Sequence, residues 1–301
     1  MAVDIQQEHP RFAAIITGID IGDPPSAETV RIVEQAMAEY AVVALRGSQP
    51  DDEAHIAFSR AFGPLEFPPD LKINAGTFTP RLAHGLYDAS NLDAQGNIVQ
   101  ADSARYKYSK GNELFHTDSS FNDLPTKWSL LLAHVVPPEG GNTEFVDTRA
   151  VYDDLPDAMK QRIEGLTVEH NLWHSRKKGG MSEISEEMKA AMPAVRHPLV
   201  RTSESGRPCL YIGAHAASIV ELDEAEGRAL LDDLYVFATQ PHYIYSHEWR
   251  LGDLVIWDNR CTLHRATGFE DLKYKRDMRR TTINEYGPER ASTDRLETTP
   301  A

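Results

Sequence analysis

Cysteine is nearly absent. Cys209 and Cys261 are the only two in 301 residues, and such a pair gives neither a disulfide framework nor a metal-binding spacing. Positive charge is in deficit: 31 Lys and Arg face 46 Asp and Glu, for a net charge of −15 and a sequence pI near 5.2. That balance argues against nucleic acid, whose phosphates demand a cationic surface. Long apolar runs are missing too. No stretch approaches the roughly 20 apolar residues of a membrane span. The start, Met1 to Glu8, lacks the basic head and apolar run of a signal peptide. The expectation is a soluble cytoplasmic protein with no nucleic-acid or membrane partner.

Core-forming residues are plentiful. The hydrophobic fraction is 41%, with four Trp, eleven Tyr and ten Phe. A single domain over residues 1–301 is expected, because no repeat or linker interrupts the chain and decorated β-barrels run to about 250 residues. Apolar spacing and capping residues predict helices over about 26–40, 51–62, 149–166 and 223–239. In the third, Pro156-Asp157 suits a helix start, so its main part is expected from there. Asp223 with Glu226 has the form of a capping box. Strands are expected at 13–20, 41–45, 129–136, 144–147, 243–249, 254–257 and 280–286. Residues 197–202 and 209–213 flank Ser205-Gly206-Arg207 like a hairpin. Short strands dominate after residue 126. Residues 64–112 are rich in Pro, Gly, Asn and Asp with little periodicity, and such a segment is a candidate lid. The tail from 288 is polar and expected to be mobile.

Chemistry concentrates in two places. His116-Thr117-Asp118 puts an imidazole and a carboxylate two residues apart, on one face if the segment is extended. Far downstream, His264 follows the buried-strand pattern Val255-Ile256-Trp257 and its break at Asp258-Asn259-Arg260. Two histidines and one carboxylate form the ligand set that non-haem Fe(II) oxygenases hold on one face of the ion, with the other face open. A lone His-X-Asp is weak by itself, and a chain with twelve histidines offers many second ligands. The context is more specific. A cationic run, Lys275, Arg276, Arg279 and Arg280, leads into the β-like Thr281-Thr282-Ile283. A solvated charged surface is one account of that run. A buried arginine, however, needs an anion.

Four stretches together resemble the taurine/2,4-dichlorophenoxyacetate family of Fe(II)/2-oxoglutarate dioxygenases. They are Phe115 to Phe121, Gly140-Gly141-Asn142-Thr143-Glu144-Phe145, Trp257 to Ala266, and Arg276 to Thr282. They occur in register, and Phe62-Gly63-Pro64-Leu65-Glu66 extends the likeness toward the start. Asp147 to Pro156, Pro198 to Thr202, Tyr211 to Ala216 and Ala238-Thr239-Gln240 bring the chain nearest the aryloxyalkanoate branch.

The resemblance implies a mainly β fold with flanking helices, a double-stranded β-helix or jelly roll. It implies His116, Asp118 and His264 as Fe(II) ligands. It also implies 2-oxoglutarate and O₂ as co-substrates, with Thr143 and Arg276 on the far carboxylate of 2-oxoglutarate. Arg280 would hold the anionic group of the prime substrate, with Asn112 and His215 lining the pocket. Phasing on Arg-Arg-Thr-Thr-Ile favours Arg276 and Arg280, while Lys275 and Arg279 stay open. Lys72 in the lid is a further cation. The implied reaction hydroxylates a small anionic aromatic ether next to its oxygen and releases a phenol and glyoxylate. Three alternatives stand: a sulfonate dioxygenase such as one for taurine, a non-catalytic ligand-binding β-helix protein, and a zinc hydrolase. A homo-oligomer is compatible with the family, though no segment marks it.

Overall fold

The computed structural model describes residues 2–22, 24–67, 81–83, 85–181 and 183–285. Lys72, residues 68–80 of the expected lid and the tail from 288 lie outside them. The chain opens with β1 (Asp4–Gln7) and β2 (Ala14–Thr17), passes through α1 (Ala27–Tyr40) and returns as β3 (Val42–Arg46). Next come α2 (Asp52–Arg60), a short β4 (Tyr87–Asp88), α3 (Ala104–Ser109) and the long β5 (Thr126–Val135). β6 (Thr143–Asp147) leads into α4 (Thr148–Asp154) and α5 (Asp157–Ile163). β7 (Thr167–His170), α6 (Leu172–Lys178), α7 (Glu186–Ala191), β8 (Val195–Pro198), β9 (Val200–Thr202), β10 (Pro208–Leu210) and β11 (Ala216–Ile219) follow. α8 (Glu224–Ala238) precedes β12 (Ile244–His247), β13 (Leu254–Asp258), β14 (Thr262–Ala266) and β15 (Asp277–Asn284).

Local chemistry explains the helix boundaries. Ser26, Asp51 and Asp223 cap α1, α2 and α8 by accepting from the backbone N–H three residues on. The helix expected over 149–166 is instead two. Pro156 forces Leu155 into an extended conformation, with ψ 140°, because proline disfavours the helical region for the residue before it. The strand expected at 197–202 also divides. β8 pairs with β7, while β9 forms the expected hairpin with β10. Its turn places Gly206 at φ +79°, a left-handed backbone that suits glycine.

A seven-stranded sheet runs in the order β1-β2-β3-β13-β5-β15-β4, and a second runs β12-β6-β14. Their pairings are antiparallel except for β2 with β3. This is the double-stranded β-helix, two sheets closed over one interior, with helices outside. The central strands are apolar on both faces, which is why they read as unbroken hydrophobic runs. Val43, Leu45, Leu130, Leu132, Leu254 and Ile256 point to α1 and α2, among Val33, Met37 and Phe58. Their neighbours Val42, Ala44, Leu131, Ala133, Val255 and Trp257 point inward with Phe145 of β6. On the far side, Val146 and Leu263 leave the second sheet to pack with Val151, Leu230, Leu231 and Leu234. His264, opposite Phe145 in the ladder, therefore faces inward by the two-residue period of a strand.

One buried carboxylate ties the turn before β13 to β3. Asp253 accepts two hydrogen bonds from Arg46 at 2.8 Å each, one from the Arg250 N–H, and faces the His247 ring. Burial opposes its charge, but the bonds from Arg46 and His247 outweigh burial and hold its carboxyl at about 2, against the ordinary 3.8. A depressed carboxyl stabilises the fold above its unfolded value, and that contribution is lost as pH falls through the folded value. Asp253→Asn should therefore cost about 2 kcal/mol at pH 7. Urea unfolding of wild type and variant should show roughly half of that difference gone by pH 3. A pH-independent difference would contradict the linkage.

Candidate active site

His116 lies outside any named strand, yet its backbone is paired. Its N–H donates to the His264 carbonyl at 3.0 Å, and the His264 N–H donates back at 2.8 Å. This isolated antiparallel bridge brings the two distant histidines side by side, with ring centroids 4.3 Å apart. Gly213 lies against the same segment. A Cβ there, at φ +127°, would meet the His116 Cα at 3.1 Å and the Phe115 carbonyl at 3.3 Å.

His116, Asp118 and His264 are all buried, and each offers one ligand atom within 4.8 Å of the others. His116 Nδ1 lies 2.7 Å from the Leu114 carbonyl, which leaves Nε2 turned to Asp118. His264 is oriented by packing between Trp257 and Phe145, and its Nδ1 has no hydrogen-bond partner among the described residues. Burial pushes both imidazoles below their ordinary value. Burial alone would raise the Asp118 carboxyl, but Arg280 and the two rings outweigh it and hold it below the usual carboxylate range. At neutral pH the cluster is two neutral imidazoles and one carboxylate, which suits a divalent ion of the first transition row.

Asp118 is held by residues to which the sequence assigned no role. Ser129 Oγ donates to its Oδ2 at 2.7 Å. Asn259 receives the Asp118 N–H on its Oδ1 at 3.2 Å, donates to Ser129 and accepts from Trp257 Nε1. Thr117 Oγ1 reaches the Asn259 carbonyl at 2.6 Å. The available signal was a lone serine inside the apolar run of β5. Such supporting partners orient a metal's ligands.

The two phased arginines are resolved by their surroundings. Arg279 turns to Asp52 and Asp277, and Lys275 is exposed. Arg276 is buried. Its Nε donates to the Gly141 carbonyl at 3.1 Å, and Nη1 reaches the Ala89 carbonyl at 3.3 Å. No acid among the described residues pairs with it, and burial lowers it to about 10. Gly140 and Gly141 hold φ of +71° and +69°, and a Cβ on Gly140 would approach the Gly268 carbonyl to 2.6 Å. Two residues on, buried Thr143 accepts from Trp249 Nε1 at 3.0 Å.

Arg280 is committed differently. Its Nη1 bonds Asp118 Oδ1, and its guanidinium lies 4.6 Å over the Tyr87 ring. The Tyr87 hydroxyl donates to Glu66 at 2.8 Å, and Ser119 and Asn122 donate to the same carboxylate. Burial raises the Glu66 carboxyl. The expected lid thus returns to the site through Glu66 and Tyr87. His215 is buried, edge-on to His116 at 5.6 Å and to Phe121 at 4.8 Å. Asn112 is half-buried, and its Oδ1 accepts from Arg176 Nη1 at 3.0 Å.

Known proteins carry the same arrangement of chain. Residues 4–282 match the family described as Taurine catabolism dioxygenase TauD, TfdA family. An alpha-ketoglutarate-dependent 2,4-dichlorophenoxyacetate dioxygenase of Burkholderia sp. (strain RASC) is 42% identical over 285 residues, 94% of each chain. A (S)-phenoxypropionate/alpha-ketoglutarate-dioxygenase of Sphingobium herbicidovorans is 36% identical, over 92% of this chain and 93% of its own. The crystal structure of AAD-2 in complex with Mn(II) and N-oxalylglycine superposes with a TM-score of 0.86 at 41% identity, over 96% of this chain and 98% of that one. The chain belongs to the Taurine catabolism dioxygenase TauD, TfdA family, and it is a dioxygenase.

Proposed function

We propose that the protein is an Fe(II)/2-oxoglutarate-dependent dioxygenase that hydroxylates an aryloxyalkanoate, such as 2,4-dichlorophenoxyacetate, next to the ether oxygen. The full-length likeness to enzymes named for such substrates supports the substrate class. The observation that carries the co-substrate is Arg276, a buried guanidinium with carbonyl partners and no acid among the described residues. Leaving such a charge unpaired is costly, and a carboxylate matches its planar fork. In this reading Arg276 and Thr143 take the far carboxylate of 2-oxoglutarate. A zinc hydrolase has no use for that pair.

His116, Asp118 and His264 would hold the iron. When bound there, iron supplies the oxidising power that turns 2-oxoglutarate and O₂ into succinate and CO₂ with transfer of one oxygen atom to the substrate C–H. The protein supplies order. The burial-lowered rings stay neutral and keep a lone pair for the ion. Ser129 and Asn259 fix the Asp118 carboxylate. Arg280 orients the anionic end of the prime substrate, and His215 with Asn112 bounds its pocket. Hydroxylation next to the ether oxygen leaves a hemiacetal, which breaks to a phenol and glyoxylate. The 1–301 chain is read as one domain with 64–112 as its lid. No helix among the described residues is long and apolar enough to cross a membrane. A cytoplasmic location and self-association belong to this proposal.

Succinate formation with Fe(II), 2-oxoglutarate and O₂ tests it directly, on phenoxyacetate, 2,4-dichlorophenoxyacetate, the 2-phenoxypropionate enantiomers and taurine. Phenol released in step with succinate is expected; succinate with taurine alone would move the function to sulfonates. Arg276→Ala should raise the KM for 2-oxoglutarate by roughly ten- to a hundredfold, as expected for a lost charged hydrogen bond, with little change for the prime substrate. His264→Ala should abolish metal binding, read by Mn(II) titration, with the fold retained. Asp118→Ala should abolish it too, and should also destabilise the metal-free protein by about 3 kcal/mol, because the largely buried Arg280 is left without its partner. Retained Mn(II) affinity in either variant would refute the ligand assignment.

A further inference from the structure

Three arginines are almost fully buried among the described residues: Arg149, Arg176 and Arg276. Arg149 is paired with Asp147 at 2.9 Å. Arg276 has the co-substrate role argued above. Arg176 has no acid beside it among the described residues and no role assigned above. It is 7% exposed, and its Nη1 donates to the Tyr108 carbonyl at 3.2 Å and to the neutral Asn112 amide at 3.0 Å. Its guanidinium lies 4.0 Å from the centroid of the Tyr108 ring. Its Nε is buried with no hydrogen-bond partner among the described residues.

The seat is built for this side chain. A Cβ on Gly111 would meet Arg176 Nη1 at 2.3 Å, and its three nearest atoms would all belong to Arg176. Gly179, at the end of α6, packs on Gly111 in turn, with a Cβ only 2.8 Å from the Gly111 Cα. Two glycines thus leave room for a guanidinium on the segment just before His116. The head of α6 is tied to the pocket as well, since the Asn171 N–H donates to the His215 carbonyl at 2.8 Å. The guanidinium of Arg176 is within electrostatic reach of both the His116 and His215 rings. Arg176 and Arg280 therefore act on His116 together, but Arg280 shares its charge with Asp118.

We propose that Arg176 is a second substrate-anchoring cation: it takes the carboxylate of the prime substrate beside Arg280 and sets the preference for an anion over a neutral ligand. The proposal rests on the function given above. It assigns two unpaired buried guanidiniums to two anionic ligands, Arg276 to the co-substrate and Arg176 to the prime substrate. Asn112 then acts through Arg176, as the neutral partner that orients it without cancelling its charge.

Equilibrium binding to the full chain loaded with Mn(II) and N-oxalylglycine separates these roles from turnover. The probes are phenoxyacetate and its neutral isostere phenoxyacetamide. Arg176→Gln should weaken phenoxyacetate by roughly ten- to a hundredfold, the range for a lost charged hydrogen bond, and leave phenoxyacetamide and N-oxalylglycine within about twofold. Asn112→Asp keeps the arginine and supplies an internal acid, so it should produce the same selective loss with an unchanged or higher melting temperature. Gly111→Ala should act in the same direction by displacing the guanidinium. Wild-type affinity for phenoxyacetate in Arg176→Gln or Asn112→Asp would overturn the proposal, as would equal weakening of acid and amide. Failure of the wild-type protein to bind phenoxyacetate would overturn the functional reading itself, and needs no variant to be seen.

Discussion

The site depends on one backbone contact, the pair of hydrogen bonds between His116 and His264. The first histidine lies in an irregular stretch before β5, the second in the small sheet. Neither could be brought within reach of one ion by its own neighbours. The bridge couples them through main-chain groups, so their Cα positions are set before any side chain acts. Everything else refines that geometry. Phe145 and Trp257 fix one ring by packing, the Leu114 carbonyl fixes the other, and Ser129 with Asn259 holds the carboxylate between them.

Charge is then distributed by partner rather than by number. The protein is strongly acidic, with a net charge of −15, yet two of its buried guanidiniums have no acid beside them among the described residues. Arg279, Arg81 and Arg46 are neutralised by Asp52, Asp277, Asp88 and Asp253. Arg276 and Arg176 are given carbonyls and an amide instead. A guanidinium oriented by neutral acceptors keeps its field and its geometry for a ligand, whereas one facing a carboxylate has spent both. Arg280 is intermediate, bound to a carboxylate that a metal would also claim.

Much of the architecture was legible because its causes are local. Ser26, Asp51 and Asp223 announce helix starts through their own side chains, and the continuous apolar runs of β5 and β13 follow from strands covered on both faces. Pro156 carried the signal for the break that divides the expected third helix, acting on the residue before it. α6 and α7 are capped in the same way, by Asn171 and Ser185, but at seven and six residues they are too short to show a periodic apolar stripe and fall outside the expected helices. Parts of the candidate site stood out as motifs: the His-X-Asp triplet, the Gly-Gly-Asn-Thr turn and the arginine-rich final strand.

The sequence alone therefore determined the acidic, cysteine-poor, mixed β character of the chain and the presence of residue types able to hold a divalent ion. Those properties follow from composition and from spacing along one strand or turn. Tertiary structure decided which arginine is free. Arg276, Arg279, Arg280 and Arg176 are chemically identical in the sequence, and only the fold brings Asp52 to one, Asp118 to another and neutral acceptors to the remaining two. The physical reason is that a buried charge is defined by what lies within a few ångströms of it, and those neighbours come from distant parts of the chain.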